Sequence, residues 1–139
     1  MSPSIAKPAK PHAFVIDDEA QVRTLVSNVL VMAGFIAHQL SGGLEVEAAL
    51  IKWPPSLIVL DLSLGNSDAV EVIRSLAAAR FAGEVLLVSG HGAETLNEVQ
   101  QIGVHRGLTM LPPLHKPFRV DELRERLAAA SDRDERPAE

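Results

Sequence analysis

The sequence predicts an α/β domain of three layers, with five parallel strands in one open sheet and helices on both of its faces. Two observations carry this reading. Short apolar runs, too short for helices and rich in β-branched residues, alternate along the chain with segments whose apolar residues recur at helical spacing. The strand candidates are also apolar throughout and not at every second residue, the pattern of a sheet buried on both sides. Composition adds that the core is aliphatic: the chain is 47% hydrophobic but only 4% aromatic, so Val, Leu, Ile and Ala must fill it. Its 139 residues make one domain of ordinary size.

The elements follow in order. Ala13–Ile16 is the first strand. Val22, Leu25, Val26, Val29, Leu30 and Ala33 then form one apolar stripe, closed by Gly34 as a C-terminal cap. Ile36–Leu40 fits a second, weaker strand. Val46, Ala49, Leu50 and Trp53 make a short helix that Pro54-Pro55 must end, with Trp53 a packing residue at its end. The third strand, Leu57–Leu60, precedes a helix on Ala69, Val72, Ile73, Leu76 and Ala77. Val85–Val88 is the fourth strand, and Leu96, Val99 and Ile102 are spaced for a helix before Gly103. Leu108–Leu111 fits a fifth strand. Val120, Leu123 and Leu127 mark the last helix, whose Glu122–Arg126 pair suits an exposed face. Right-handed crossovers between parallel strands leave few other arrangements. Residues 1–12, with Pro3, Pro8 and Pro11, read as a disordered amino-terminal tail, 13–130 as the domain, and 131–139, charged and holding Pro137, as a tail or the start of a linker.

Several function classes drop out. Without cysteine there is no disulfide, zinc-thiolate or thiol chemistry. Thirteen basic against 18 acidic residues give a net charge of −5, which argues against direct nucleic-acid or anionic-membrane binding. No apolar stretch approaches the roughly 18 residues of a membrane span, and the amino terminus lacks a signal-peptide layout. A cytoplasmic location is the expectation. His12, His38, His91, His105 and His115 show no ligand spacing, and the Arg119–Arg126 segment alternates in sign like a solvated face.

Chemistry in an open parallel sheet collects beyond the carboxyl ends of the strands. The first strand runs into Asp17, Asp18 and Glu19, the third into Asp61 and the fourth into Ser89, while Lys116 stands in the loop after the fifth, before Pro117. Carboxylates gathered at one edge must be partly protonated or hold a cation. An incomplete all-oxygen site that keeps several waters suits Mg²⁺ better than Ca²⁺. A lysine and a hydroxyl would be surplus for ion binding alone. They make sense beside a phosphoryl group whose oxygens are shared among Mg²⁺, Lys116 and Ser89, and a carboxylate can itself accept that group as an acyl phosphate.

Val15-Ile16-Asp17-Asp18-Glu19, Leu60-Asp61-Leu62, Val88-Ser89-Gly90 and Lys116-Pro117-Phe118 resemble the receiver domains of two-component response regulators. The likeness runs over residues 13–130, in the family's order and close to its spacings. It implies a CheY-like, flavodoxin-like fold with strand order 2-1-3-4-5. It also implies roles: Asp61 as phosphoacceptor, Asp18 as a direct Mg²⁺ ligand, Asp17 acting directly or through water, and Asp61 with the backbone carbonyl of Ser63 completing the ligands. Lys116 would pair with a phosphoryl oxygen, with a cis Lys116–Pro117 peptide, and Ser89 would swing inward to the phosphoryl group. Ser63 and His91 occupy positions that tune hydrolysis. The implied partners are a sensor histidine kinase or a phosphotransfer protein, and an output domain in trans or in a longer form of the chain. A homodimer stays open. Such a domain is no ordinary enzyme: it catalyses its own phosphorylation and slowly removes the group again.

Three departures from the family pattern stand out. Gly65 occupies the position, four residues after the phosphoacceptor, where Pro is usual. The stretch from Ser89 to Lys116 is longer than usual by Gly103-Val104-His105-Arg106-Gly107, so the fourth helix or the turn after it must be extended or displaced. Pro113 stands three residues before the lysine, where the family carries Tyr or Phe, in a chain with no tyrosine. The expected readout is therefore a displacement of the loop after the fourth strand and of the long segment before the fifth, without a rotating ring. Leu111–Pro117 is also loosely similar to receivers attached to EAL outputs. Two other functions compete: an interaction module that keeps the fold without switching, and an aspartyl-phosphate hydrolase of the haloacid-dehalogenase kind. The latter needs a second Asp two residues after the nucleophile, where Ser63 stands.

Overall fold

The computed structural model describes residues 9–62, 66–90 and 92–135. Five βα units follow one another: β1 (His12–Ile16), α1 (Ala20–Met32), β2 (Ile36–Leu40), α2 (Val46–Lys52, entered by a 3-10 turn over Gly43–Glu45), β3 (Leu57–Asp61), α3 (Asn66–Ala78), β4 (Glu84–Ser89), α4 (Ala93–His105), a fifth strand in two pieces, β5 (Thr109–Met110) and β6 (Leu114–His115), and α5 (Val120–Glu135). All strand pairs are parallel, in the order β2-β1-β3-β4-β5, with β6 also on β4. This is the CheY-like order that the family resemblance implies.

Alternation along each strand divides the core. Phe14, Ile16, Ile58, Leu60, Val85 and Leu87 face α2, α3 and α4, while Ala13, Val15, Leu57, Val59, Leu86 and Val88 face α1 and α5. Each fully buried Leu, Ile or Phe contributes roughly 1.5–3 kcal/mol, so the central strands hold the frame on which the strand ends are aligned. Trp53 packs at the edge of the first of these clusters, as its place at the end of α2 suggests.

Two of the helices, α1 and α4, end at glycines of positive φ. Gly34, at φ +100°, follows α1, and the Phe35 N–H reaches back to the Leu30 carbonyl at 3.0 Å. Gly107, at φ +89°, does the same for α4, with Leu108 N–H on the Gly103 carbonyl at 3.0 Å. Apolar spacing alone would end this helix before Gly103, but it runs on to His105: of the expected extension of the fourth helix or of the turn after it, the added residues give the first. Gly103 is kept inside it by close packing, since a Cβ there would meet Met110 Sδ at 2.5 Å.

The fifth strand also differs from its expected single run. Met110 pairs with Val85 and Leu114 with Val88, so Leu111, Pro112 and Pro113 stand opposite only Leu86 and Leu87. One extra residue is accommodated as a bulge at a diproline that cannot donate to the ladder. At the far end, α5 continues through Glu135, into the segment expected to be tail. Among the described residues, no helix is long and apolar enough to cross a membrane.

Candidate functional site

The carboxyl edge of the sheet brings acidic and basic side chains together. Asp17 follows β1 and Asp61 ends β3; both are buried, at 2% exposure each. Lys116 follows β6, and its Nζ lies 3.2 Å from Asp61 Oδ2, 3.4 Å from Asp17 Oδ2 and 3.4 Å from Glu19 Oε1. One ammonium is thus shared by three carboxylates from two strand ends. Sequence reasoning placed Asp17, Asp61 and Lys116 here, and the register explains why: β1 and β3 are adjacent central strands of equal length.

Asp17 is fixed on every side. Its N–H donates to the Leu40 carbonyl at 3.2 Å, its own carbonyl accepts from Arg23 Nη1 at 2.7 Å, and its Oδ1 accepts from the Glu19 N–H at 2.9 Å. Burial pushes the Asp17 carboxyl up to about 6, against the lowering hydrogen bond from Glu19; the Asp61 charge adds to the rise and Lys116 offsets part of it. For Lys116, burial works to lower the ammonium, but the charges and hydrogen bonds of Asp61 and Asp17 outweigh it and its pKa is raised.

Other expected residues fall differently. Ser89 ends β4 fully buried, one residue beyond the Val88 that pairs with Asp61, and its carbonyl accepts the Lys116 N–H at 2.8 Å. Asp18 is exposed and stands apart from the acidic group; the third carboxylate there is Glu19, whose oxygen lies with those of Asp17 and Asp61 within 4.8 Å of one another. Glu19 stays exposed, with its N–H on Asp17 Oδ1 at 2.9 Å and its carboxylate 3.4 Å from Lys116 Nζ. Ser63, Gly65 and His91 lie outside the described residues. The Lys116–Pro117 peptide is cis, and Pro113 is half-buried at the strand break.

The donor set fits Mg²⁺. Two buried carboxylates and a third beside them offer oxygen alone, and one ammonium does not neutralise them. A hard divalent ion that keeps much of its water suits such a group.

Sequence reasoning missed the supporting side chains. Arg23 looks like any residue on a helix face, yet it holds the Asp17 carbonyl. Arg126 was expected to pair with Glu122 on an exposed face. Glu122 instead accepts the Arg119 N–H at the start of α5, at 2.8 Å, and Arg126 donates to the Pro112 and Pro113 carbonyls. At the opposite edge, His12 Nδ1 and His38 Nε2 meet at 2.7 Å, a contact between residues on neighbouring strands that no local spacing signals.

Comparison with known proteins agrees with this geometry. The family described as Response regulator receiver domain matches residues 13–128. Sporulation initiation phosphotransferase F of Bacillus subtilis (strain 168) is 25% identical over 112 residues, covering 81% of this chain and 86% of that protein. The DNA-binding dual master transcriptional regulator RpaA of Synechocystis sp. is 31% identical over 128 residues, covering 91% of this chain and 51% of that protein. The chain thus spans nearly all of the first relative and about half of the second. The crystal structure of a CheY-like response regulator receiver domain protein from Methanospirillum hungatei JF-1 shares the fold, with a TM-score of 0.77 at 16% identity over 91% of this chain and 98% of that one. The looser likeness to EAL-linked receivers has no counterpart among these three. With the family's match running from the first strand into the last helix, the chain belongs to the response regulator receiver domains of two-component systems.

Proposed function

We propose that this chain is a phosphorylation-controlled switch in which Asp61 takes a phosphoryl group from the phosphohistidine of a sensor histidine kinase or phosphotransfer protein, in a Mg²⁺-dependent reaction. The observation that carries the reading is the Lys116 ammonium held at 3.2 Å from Asp61 and 3.4 Å from Asp17 at the carboxyl edge of the sheet. A carboxylate oxygen of Asp61 forms the new O–P bond as the donor's N–P bond breaks, and the departing imidazole keeps the electron pair and takes a proton. Lys116 is in reach to neutralise an equatorial oxygen of the transferring group, and such positioned charge is most of what phosphoryl transfer asks of a protein.

Asp17, Asp18, Asp61 and the Ser63 carbonyl would hold the Mg²⁺, with Glu19 close enough to exchange places with Asp18. When bound, the ion supplies charge neutralisation to the phosphoryl oxygens. Ser89 reports the phosphoryl group by turning toward it, and Ser63 and His91 set how fast water removes it. With Pro113 in place of a ring, the signal leaves as a backbone displacement of the β4–α4 loop and of the segment joining α4 to the fifth strand. Output passes to a domain in trans or in a longer form of the chain, as suits a chain that spans about half of RpaA.

The test is direct. The protein is incubated with Mg²⁺ and acetyl phosphate, and intact mass is read for one phosphoryl adduct. Wild type gains it; Asp61→Asn does not. No adduct at any Mg²⁺ concentration would leave the non-switching module, and rapid turnover of diverse phosphomonoesters would favour the hydrolase.

A further inference from the structure

Three successive backbone carbonyls at the break in the fifth strand are each held by a helix side chain. Gln100 Nε2, from α4, donates to the Leu111 carbonyl at 2.9 Å. Arg126, from α5, donates through Nε to the Pro112 carbonyl at 2.9 Å and through Nη2 to the Pro113 carbonyl at 3.1 Å. The planar guanidinium therefore spans two consecutive peptides, a geometry a point-charge lysine cannot reproduce.

This clamp sits where the strand's register is decided. Three residues, Leu111 to Pro113, face two, Leu86 and Leu87, so the fifth strand carries one residue more than its partner. Downstream, β6 is only two residues long, Leu114 on Val88 and His115 on Ser89, and Lys116 follows with its N–H on the Ser89 carbonyl at 2.8 Å. Two ladder positions specify register weakly, and a slip of one residue turns every side chain to the other face. If the extra residue moved downstream, Lys116 would leave the carboxylates. Pro112 and Pro113, lacking N–H groups, already favour the bulge at this place; the clamp fixes it there from two helices.

We propose that Gln100 and Arg126 are positioning residues for Lys116: by pinning the extra residue of the fifth strand at Leu111–Pro113, they hold the register that sets the Lys116 ammonium between Asp17 and Asp61. Its consequence for phosphoryl transfer rests on the function proposed above. It also makes α4 and α5 determinants of the acceptor site, although neither side chain reaches it.

The test is a double-mutant cycle. Adduct formation with Mg²⁺ and acetyl phosphate is timed for wild type, Arg126→Ala, Lys116→Met and the double variant, with Arg126→Lys and Gln100→Ala alongside. Arg126→Ala slows the adduct about tenfold where Lys116 is present and less than about twofold in the Lys116→Met background, because its effect passes through Lys116. Arg126→Lys, which can hold one carbonyl, falls between. An equal loss in both backgrounds, or none in either, overturns the proposal. If wild type forms no adduct, the functional reading fails separately, and the same cycle is then decided by urea unfolding in Mg²⁺-free buffer. There Arg126→Ala lowers the folded-to-unfolded ratio about tenfold with Lys116 and clearly less without it; strict additivity would sink the clamp.

Discussion

The two edges of the sheet handle like groups in opposite ways. At the carboxyl edge, Asp17 and Asp61 are buried side by side with a single ammonium between them. At the amino edge, His12 and His38 meet nitrogen to nitrogen at 2.7 Å, their rings inclined by only 13° with centroids 5.0 Å apart. The imidazoles satisfy each other while neutral, one donating its N–H and the other accepting. Trp53 closes over His38 at 4.2 Å, and Lys52 Nζ lies 4.6 Å from the centre of the Trp53 ring. Carboxylates have no such neutral arrangement at pH 7. The first edge thus stores repulsion that a cation can relieve, while the second has already relieved its own.

Removing one partner from each edge should expose the difference most strongly. Lys116→Met leaves two buried carboxylates without their cation, and losing one partner of a buried pair costs about 3–5 kcal/mol. His12→Ala removes one neutral hydrogen bond, for about 1 kcal/mol. Urea unfolding at pH 7 in Mg²⁺-free buffer should rank them so. Equal losses would break the contrast.

The pH dependence should carry opposite signs. The Asp17 pKa is about 6 in the folded protein against 3.8 for the free group. Between those values the unfolded chain gives up its proton first, so stability falls as pH rises through the window and is level above it. His38 is lowered from 6.5, first by burial and then by the His12 charge. Below 6.5 the unfolded chain takes the proton first, so this edge loses stability as pH falls. The two slopes oppose each other near pH 5 to 6. Asp17→Asn should leave only the loss on acidification, and His38→Phe only the loss on raising pH, both read from unfolding midpoints without Mg²⁺. A Lys116 held above its usual 10.5 adds stability that persists to alkaline pH and is lost as pH rises through its raised value.

A smaller effect separates the edges by ligand. Mg²⁺ at ten times its dissociation constant should stabilise the protein by about 1.4 kcal/mol at pH 7. Thermal melts should show the gain in wild type and in His38→Phe, and lose most of it in Asp61→Asn.

Much of this was legible in the sequence, for reasons that also mark where legibility ends. The strands and helices announce themselves because burial on both faces writes continuous apolar runs and stripes, and the strand ends then align Asp17, Asp61, Ser89 and Lys116 without further information. The break in the fifth strand was not legible: Pro112-Pro113 reads as a loop, and only the resumed pairing of Leu114 with Val88 shows the strand continuing one residue out of step. Arg23, Gln100 and Arg126 look like solvated helix positions, because nothing local says which carbonyl a long polar side chain will reach. The histidine pair is a product of register, since Phe14 pairs with His38 and thereby places His12 beside it.

Trp53 offers the finest test of whether the edges are independent. It is the only tryptophan in the chain, and it stacks on His38 at 4.2 Å. His38 pairs with Phe14, three residues before Asp17, so about 10 Å of strand lies between it and the acidic edge. An imidazolium against the indole quenches it, so emission should fall as pH drops from 7 toward 5. The change should vanish in His38→Gln. It should begin at higher pH in His12→Gln, because removing His12 lifts the charge that helps to lower His38. Mg²⁺ or acetyl phosphate at fixed pH should leave the emission unchanged, in wild type as in Asp61→Asn. If loading the acidic edge moved Trp53 as far as acid does, β1, which carries His12 at one end and leads into Asp17 at the other, would be transmitting between edges that the packing otherwise keeps apart.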